Sequence, residues 1–202
     1  MNKKIVSLFS VFVMMLGLVT ACGSQGTSEA EQVESKPTAS QFASENSNHP
    51  ASATAELYNA QKEKIGTAQF TETKQGVEIH LKASKLSPGK HGFHIHETGK
   101  CTPPDFKSAG EHFNPTSKEH GFENPQGFHA GDLPNIEVGQ DGMVETTMVT
   151  KKVTLQKGKP NSLFDKDGSA LVIHAKPDDY KTNPAGAAGK RVACGVIKPA
   201  KH

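Results

Sequence analysis

From residue 51 onward, apolar and polar positions alternate in short runs. In Gly76-Val77-Glu78-Ile79-His80-Leu81, the apolar Val77, Ile79 and Leu81 share one face of an extended chain, and His80 falls on the opposite, solvent-facing side. Residues 53–57 and 65–70 carry weaker versions of the pattern, and 93–96, 144–149, 170–173 and 192–197 repeat it. Turn signals divide these runs: Ser87-Pro88-Gly89, Gln140-Asp141-Gly142 and Lys166-Asp167-Gly168. No stretch sustains a helical period. Short strands at this spacing predict an all-β fold, an antiparallel sandwich or barrel. Two stretches, 97–133 and 177–190, lack the alternation, and connections that long inside a compact domain are usually functional.

Composition narrows the class. The 202 residues suffice for one domain with extensions. With 19 Gly, 12 Pro and 34% hydrophobic residues, a helical bundle is disfavoured. The 23 Lys and Arg nearly balance 21 Asp and Glu, so nothing marks a nucleic-acid binder. The only segment apolar enough to meet a membrane lies at the extreme N-terminus, which excludes a multi-pass membrane protein.

That N-terminus predicts an address. Lys3 and Lys4 precede a short apolar run, so residues 1–21 read as a secretory signal peptide. The run ends in Leu18-Val19-Thr20-Ala21-Cys22, which resembles a bacterial lipobox and implies a lipidated Cys22 after cleavage. An ordinary signal with an incidental cysteine is the plainer alternative. Residues 22–50 are rich in Ser, Thr, Glu, Gln and Ala and poor in large apolar side chains, the composition of a disordered tether. The tether is acidic, which leaves the domain at 51–202 mildly basic. If Cys22 carries lipid, Cys101 and Cys194 remain, and an even pair in an exported domain reads as one disulfide. A catalytic thiol would compete, but neither cysteine sits in a CxxC pair.

Six of the ten histidines, with one aspartate, form an ordered series. His94 and His96 are two apart on a predicted strand and leave its same face. His112, His120, His129 and Asp132 follow in the long irregular stretch, and His174 closes a later strand. Imidazoles suit copper and zinc; three imidazoles with a carboxylate suit tetrahedral zinc. A lone His-x-His pair is as easily exposed sheet surface, and the complete series is what carries the metal reading. His49 and His202 fall in the tether and the tail.

Over residues 51–198 the chain resembles copper/zinc superoxide dismutase. The resemblance rests on Gly92-Phe93-His94-Ile95-His96-Glu97, Ala109-Gly110-Glu111-His112-Phe113-Asn114-Pro115, His129-Ala130-Gly131-Asp132-Leu133, Leu171-Val172-Ile173-His174 and Lys190-Arg191-Val192-Ala193-Cys194-Gly195-Val196-Ile197. It implies a Greek-key, eight-stranded flattened β-barrel with two long functional loops. It implies one copper held by His94, His96, His112 and His174, and one zinc held by His112, His120, His129 and Asp132, with His112 as an imidazolate bridge. Asp178 falls where the family places a carboxylate linking the two sites, although Asp179 is adjacent. Arg191 falls at the family's anion-guiding arginine, His91 at a loop-bracing histidine, and Cys101 and Cys194 at its disulfide. The implied reaction is dismutation of superoxide anion to oxygen and hydrogen peroxide, with His112 and Arg191 as the catalytic side chains.

The residues 102–108 and 181–189 depart from animal and plant members and are similar to bacterial ones. They leave the steering charges open among Lys100, Lys107, Lys118 and Lys181, and leave a monomer or a homodimer open. The expectation is an enzyme lipid-anchored through Cys22 at the extracytoplasmic face of a bacterial membrane. The rival function is a non-catalytic copper/zinc-binding module of the same fold. Ligand completeness separates the two, and here every copper position and Arg191 are filled. A structural sandwich with incidental histidines fails on the spacing of seven potential ligands.

Overall fold

The computed structural model describes residues 51–200. The predicted signal peptide, Cys22, the tether, His49 and His202 lie outside the described residues. Nine strands occur among these residues: β1 (Ser52–Asn59), β2 (Lys64–Thr73), β3 (Gly76–Ala83), β4 (Gly89–His91), β5 (Phe93–His96), β6 (Ile136–Val138), β7 (Val144–Thr150), β8 (Ala170–His174) and β9 (Arg191–Pro199). One 3-10 turn, Lys107–Ala109, is the only helical element among them. The strands form a curled antiparallel sheet in the order β5-β8-β9-β1-β2-β3-β7, with β4 and β6 paired separately.

The count of nine agrees with the expected eight once β4 and β5 are seen as one run broken at Gly92. Below the break His91 pairs with Ile136 of β6; above it Phe93 pairs with Ile173 of β8. Gly92 lies so close to Ala188 that a Cβ there would overlap it, and its N–H donates to the Lys176 carbonyl (2.8 Å). The run therefore changes partners where the second long loop crosses it.

The predicted alternation is the burial pattern. Val77, Ile79, Leu81 and Ala83 of β3 face inward, as do Ala53, Ala55 and Leu57 of β1 and Ile65, Ala68 and Phe70 of β2. With Phe93, Ile95, Leu171 and Ile173 they form one contiguous core. At about 25 cal/mol per Å2 of buried apolar surface, this core is the main favourable term in folding. Sheet, core and disulfide are all drawn from residues 51–200, so this segment has the makings of an independent folding unit.

β5 and β8 are buried on both faces. Their inner residues enter the main core. The outer face of β8 carries Ala170 and Val172, which join Phe106, Ala109 and Cys194 in a second, smaller core. That cluster anchors the start of the first long loop to the sheet, and the disulfide Cys101–Cys194 pins it there (Cα–Cα 5.6 Å). The short β4 and β6 carry no readable alternation in three residues each. A third irregular stretch, residues 151–169, follows β7 and is tied to β2 by Glu72, which accepts from the Leu155 N–H (2.6 Å) and the Thr154 hydroxyl (2.9 Å).

Candidate metal centre

The free edge of β5 organises the site. Ile95 N–H donates to Gly131 O (2.9 Å) and Ile95 O accepts from Phe113 N–H (2.9 Å), so the first long loop pairs along that edge. His94 thereby comes opposite Asp132, and His96 opposite His112. On the strand's other side the β8–β9 ladder sets His174 opposite Arg191, just past a register shift at Ile173/His174. Sheet registry, more than loop folding, brings the two halves of the site together.

Two nests of ligand atoms result. One gathers His94, His96, His112 and His174; the other gathers His112, His120, His129 and Asp132. Within each, the donor atoms lie within 4.8 Å of one another, and all seven residues are buried. His112 belongs to both. The rings of His94 and His112 stand 4.0 Å apart between centroids. All seven side chains expected to hold metal are thus brought together.

Hydrogen bonds assign the ring nitrogens. His94 Nε2–H donates to Asp178 Oδ2 (2.7 Å), His96 Nδ1–H to Gly110 O (3.0 Å), His112 Nδ1–H to Asp132 Oδ1 (2.8 Å) and His174 Nδ1–H to Gly189 O (3.2 Å). Carboxylates and carbonyls only accept, so each tautomer is fixed by its partner. The remaining nitrogens, His94 Nδ1, His96 Nε2, His112 Nε2 and His174 Nε2, are buried without any partner. A buried polar atom left unpaired costs about 1–3 kcal/mol. Four such atoms converging on one point are a metal site's lone pairs.

The second nest centres on Asp132. Its Oδ1 faces His112, His120 (3.0 Å) and His129 (3.3 Å), and its Oδ2 accepts from the backbone N–H of Gly121 (3.0 Å) and His129 (3.1 Å). Asp178 Oδ1 faces His120 Nε2 (3.0 Å), so this one carboxylate touches an imidazole from each nest. The choice between neighbouring aspartates is settled by burial: Asp178 is buried, whereas Asp179 is exposed and caps the turn at Lys181 and Thr182.

Electrostatics follow the geometry. Burial drives His112 down to about 4 and His174 to about 3, with neighbouring imidazoles adding to the effect. His94 and His96 are lowered too, by burial above all. These four are held neutral, the form that binds a cation. Burial also opposes charge on His120, but Asp132 and Asp178 outweigh it and hold that ring up at about 9. Burial opposes ionisation of Asp132 and Asp178 as well. The donors around each outweigh it and hold both carboxyls well below the ordinary range.

Arg191 is half-buried beside the first nest. Its Nη1 donates to Phe106 O (2.8 Å) and its Nη2 to Gly110 O (2.6 Å), the same carbonyl that holds His96. The guanidinium lines an open cleft of about 710 Å3 together with Pro104, Asp105, Lys107, Glu111, Gly189 and Lys190. Of the four candidate steering lysines only Lys107 reaches this cleft; Lys181 is paired with Glu123 (3.0 Å) instead. Lys190 lines it without having been singled out, and its place next to Arg191 in the chain was the available signal. His91 braces the loops as expected: its ring bridges His174 O (2.6 Å) and Ser87 O (2.7 Å). His80 is half-exposed and meets Glu145 (3.3 Å). Asn135 was missed. Its amide clips the Asp178 backbone from both sides (2.8 and 2.9 Å), a long-range pairing that no sequence spacing announces.

Fold and site together define an all-β metalloprotein with two adjoining metal nests, one of four imidazoles and one of three imidazoles and a carboxylate. The pattern of the copper/zinc superoxide dismutase family matches residues 64–197. The chain belongs to that family. Superoxide dismutase [Cu-Zn] 1 of Aquifex aeolicus (strain VF5) is 57% identical over 145 residues, which is 71% of this chain and 86% of that protein. The crystal structure of a SOD-like protein from Bacillus subtilis superposes with a TM-score of 0.70 at 48% identity, covering 72% of this chain and 97% of that one. The Cu/Zn superoxide dismutase from Brucella abortus gives 0.60 at 32% identity, covering 73% and 99%. The protein is accordingly a superoxide dismutase of the copper/zinc type.

Proposed function

We propose that His94, His96, His112 and His174 hold copper, and that His112, His120, His129 and Asp132 hold zinc, one ion of each per chain. His112 then bridges the two as an imidazolate. The observation that carries this reading is the set of four unpartnered ring nitrogens: on His94, His96 and His174 the opposite nitrogen is committed to an acceptor, and on His112 it faces Asp132 in the second nest.

When bound, copper supplies one-electron redox chemistry, and zinc holds geometry without redox change. Two superoxide anions and two protons give one oxygen and one hydrogen peroxide. Arg191 draws the anion into the cleft with a guanidinium that its two carbonyl partners keep aimed. His112 would hold a proton at Nε2 in one half of the cycle and give it up in the other, while its Nδ1, which faces Asp132 and the second nest, would be the nitrogen given to zinc. Asp178 orients His94 and His120 together. Cys22, lipidated, keeps the enzyme at the extracytoplasmic face of the bacterial membrane, with residues 22–50 as tether.

Reconstitution with copper and zinc tests the chemistry. Superoxide decay followed directly should be fast and copper-dependent, and a zinc-only control should be inert. Decay no faster than free copper complexes give would make the protein a binding module. His112→Ala should abolish most activity and also weaken zinc binding; retention of both would overturn the bridge. Cys22→Ala should release the protein to the medium, and membrane retention would overturn the anchor.

A further inference from the structure

Between β7 and β8 the sequence Lys151-Lys152-Val153-Thr154-Leu155-Gln156-Lys157-Gly158-Lys159 holds four lysines in nine residues and no carboxylate. Lys74 joins them from the turn between β2 and β3. The β3–β7 register sets Val77 opposite Thr150, so that turn and the start of this segment lie at one end of the sheet. All five lysines are exposed. Among the described residues, Lys64, Lys82, Lys85, Lys107 and Lys181 each have a carboxylate within 4 Å, whereas none of these five does. Of the carboxylates on the same strand ends, Glu72 is turned toward Thr154 and Leu155, and Glu78 projects from β3.

The segment is built as a platform. Val153 and Leu155 enter the main core, Asn161 Nδ2–H holds Lys152 O (3.0 Å), and Ser162 N–H holds Lys159 O (3.1 Å). Lys152 Nζ rests 4.9 Å from the centre of the Phe128 ring. Five uncompensated cations on an ordered surface are a large local field in a chain whose net charge is only +2.

Their position relative to Ala51, the first described residue, gives that field a direction. The main chain enters the fold at Ala51, whose carbonyl accepts from the Glu72 N–H (2.8 Å). Glu72 is the residue whose side chain grips the lysine segment. Ala51 therefore lies beside the lysine segment. Arg191 opens β9 and Pro199, paired with Ala53, ends it. The catalytic cleft and the tether junction are a strand-length apart, roughly 26 Å at about 3.3 Å per residue.

We propose that Lys74, Lys151, Lys152, Lys157 and Lys159 form a docking surface for the anionic lipid headgroups of the membrane from which the protein is tethered. The inference rests on the anchoring reading for its biological setting. Clustered lysines next to a membrane attachment are attracted by acidic lipids within about a Debye length of the bilayer. A chain held at one point then gains a preferred face. The Arg191 cleft lies a strand-length from that attachment point, so the anionic substrate need not enter where the domain meets the negative surface.

The test uses residues 51–202 with both metals bound, mixed with vesicles of phosphatidylcholine alone or with added phosphatidylglycerol. Sedimentation with the phosphatidylglycerol vesicles alone, lost as salt is raised past about 0.15 M, is the expected result. A variant with Lys74→Gln, Lys151→Gln, Lys152→Gln, Lys157→Gln and Lys159→Gln should lose that partitioning by about tenfold or more. A control with Lys62→Gln, Lys64→Gln, Lys82→Gln, Lys85→Gln and Lys90→Gln has the same net charge and should keep it; melting temperature and metal content confirm that both variants fold. Equal loss in the two variants, or no sedimentation with phosphatidylglycerol, would overturn the proposal. Cys22 takes no part in this assay, so its outcome is independent of the anchor, which Cys22→Ala fractionation decides.

Discussion

His112 is pinned by one nitrogen and bare at the other, and the same holds for His94, His96 and His174. Without metal these rings resist protonation, and this has a thermodynamic sign. His112 and His174 sit at about 4 and about 3 in the folded protein, against an ordinary value of 6.5. Below pH 6.5 the unfolded chain takes up protons that the folded site refuses, so stability falls with falling pH. His120, at about 9, acts oppositely: its contribution is complete below 6.5 and is lost as pH rises through 9. The metal-free protein should therefore be most stable near neutrality. Its melting temperature should drop by roughly 5–10 °C between pH 6.5 and 4, followed by calorimetry. A flat profile would contradict neutral histidines. At this scale the six histidines and Asp132 were legible in residue type and order, and Asp178 and Arg191 through the family resemblance. Which nitrogen of His96 and His174 is left bare was not, since that is decided by the carbonyls of Gly110 and Gly189, and every residue has a carbonyl.

Among the elements, the long strands announced themselves through alternation, whereas β4 and β6 are too short to show a period. The two long loops were visible as its absence, but their mutual contacts were not. Gly186 shows the reason. At φ +63° it packs against the Asp178–His120 pair so closely that a Cβ would land on both Asp178 Oδ1 and His120 Nε2. The sequence offers only another glycine in a Gly/Ala-rich stretch. Gly186→Ala should push the second loop off Asp178 and weaken zinc binding about 10- to 100-fold, as loss of an orienting partner does. Competition with a chromophoric chelator measures it; unchanged affinity would show that the loop yields without disturbing the carboxylate.

For the whole molecule, charge at the cleft should set the encounter rate with an anionic substrate. Lys107 is partly offset by Asp105 (3.5 Å), whereas Lys190 has no carboxylate within 4 Å among the described residues. Lys190→Glu should lower kcat/KM about tenfold at low ionic strength, and the difference should vanish near 1 M salt, where the Debye length is about 3 Å. A deficit that persists at high salt would mean damage to the site instead of lost attraction. The two nests also share more than proximity. His112 contributes to both, and Asp178 grips one imidazole of each. Whatever ordering one ion imposes on those groups, the other no longer has to impose. With His112 shared as proposed, occupancy should be cooperative, and reciprocity requires zinc to improve copper affinity by the same factor as copper improves zinc's, which copper titration of empty and zinc-loaded protein measures. A chain already holding zinc would therefore capture scarce copper more tightly than an empty one.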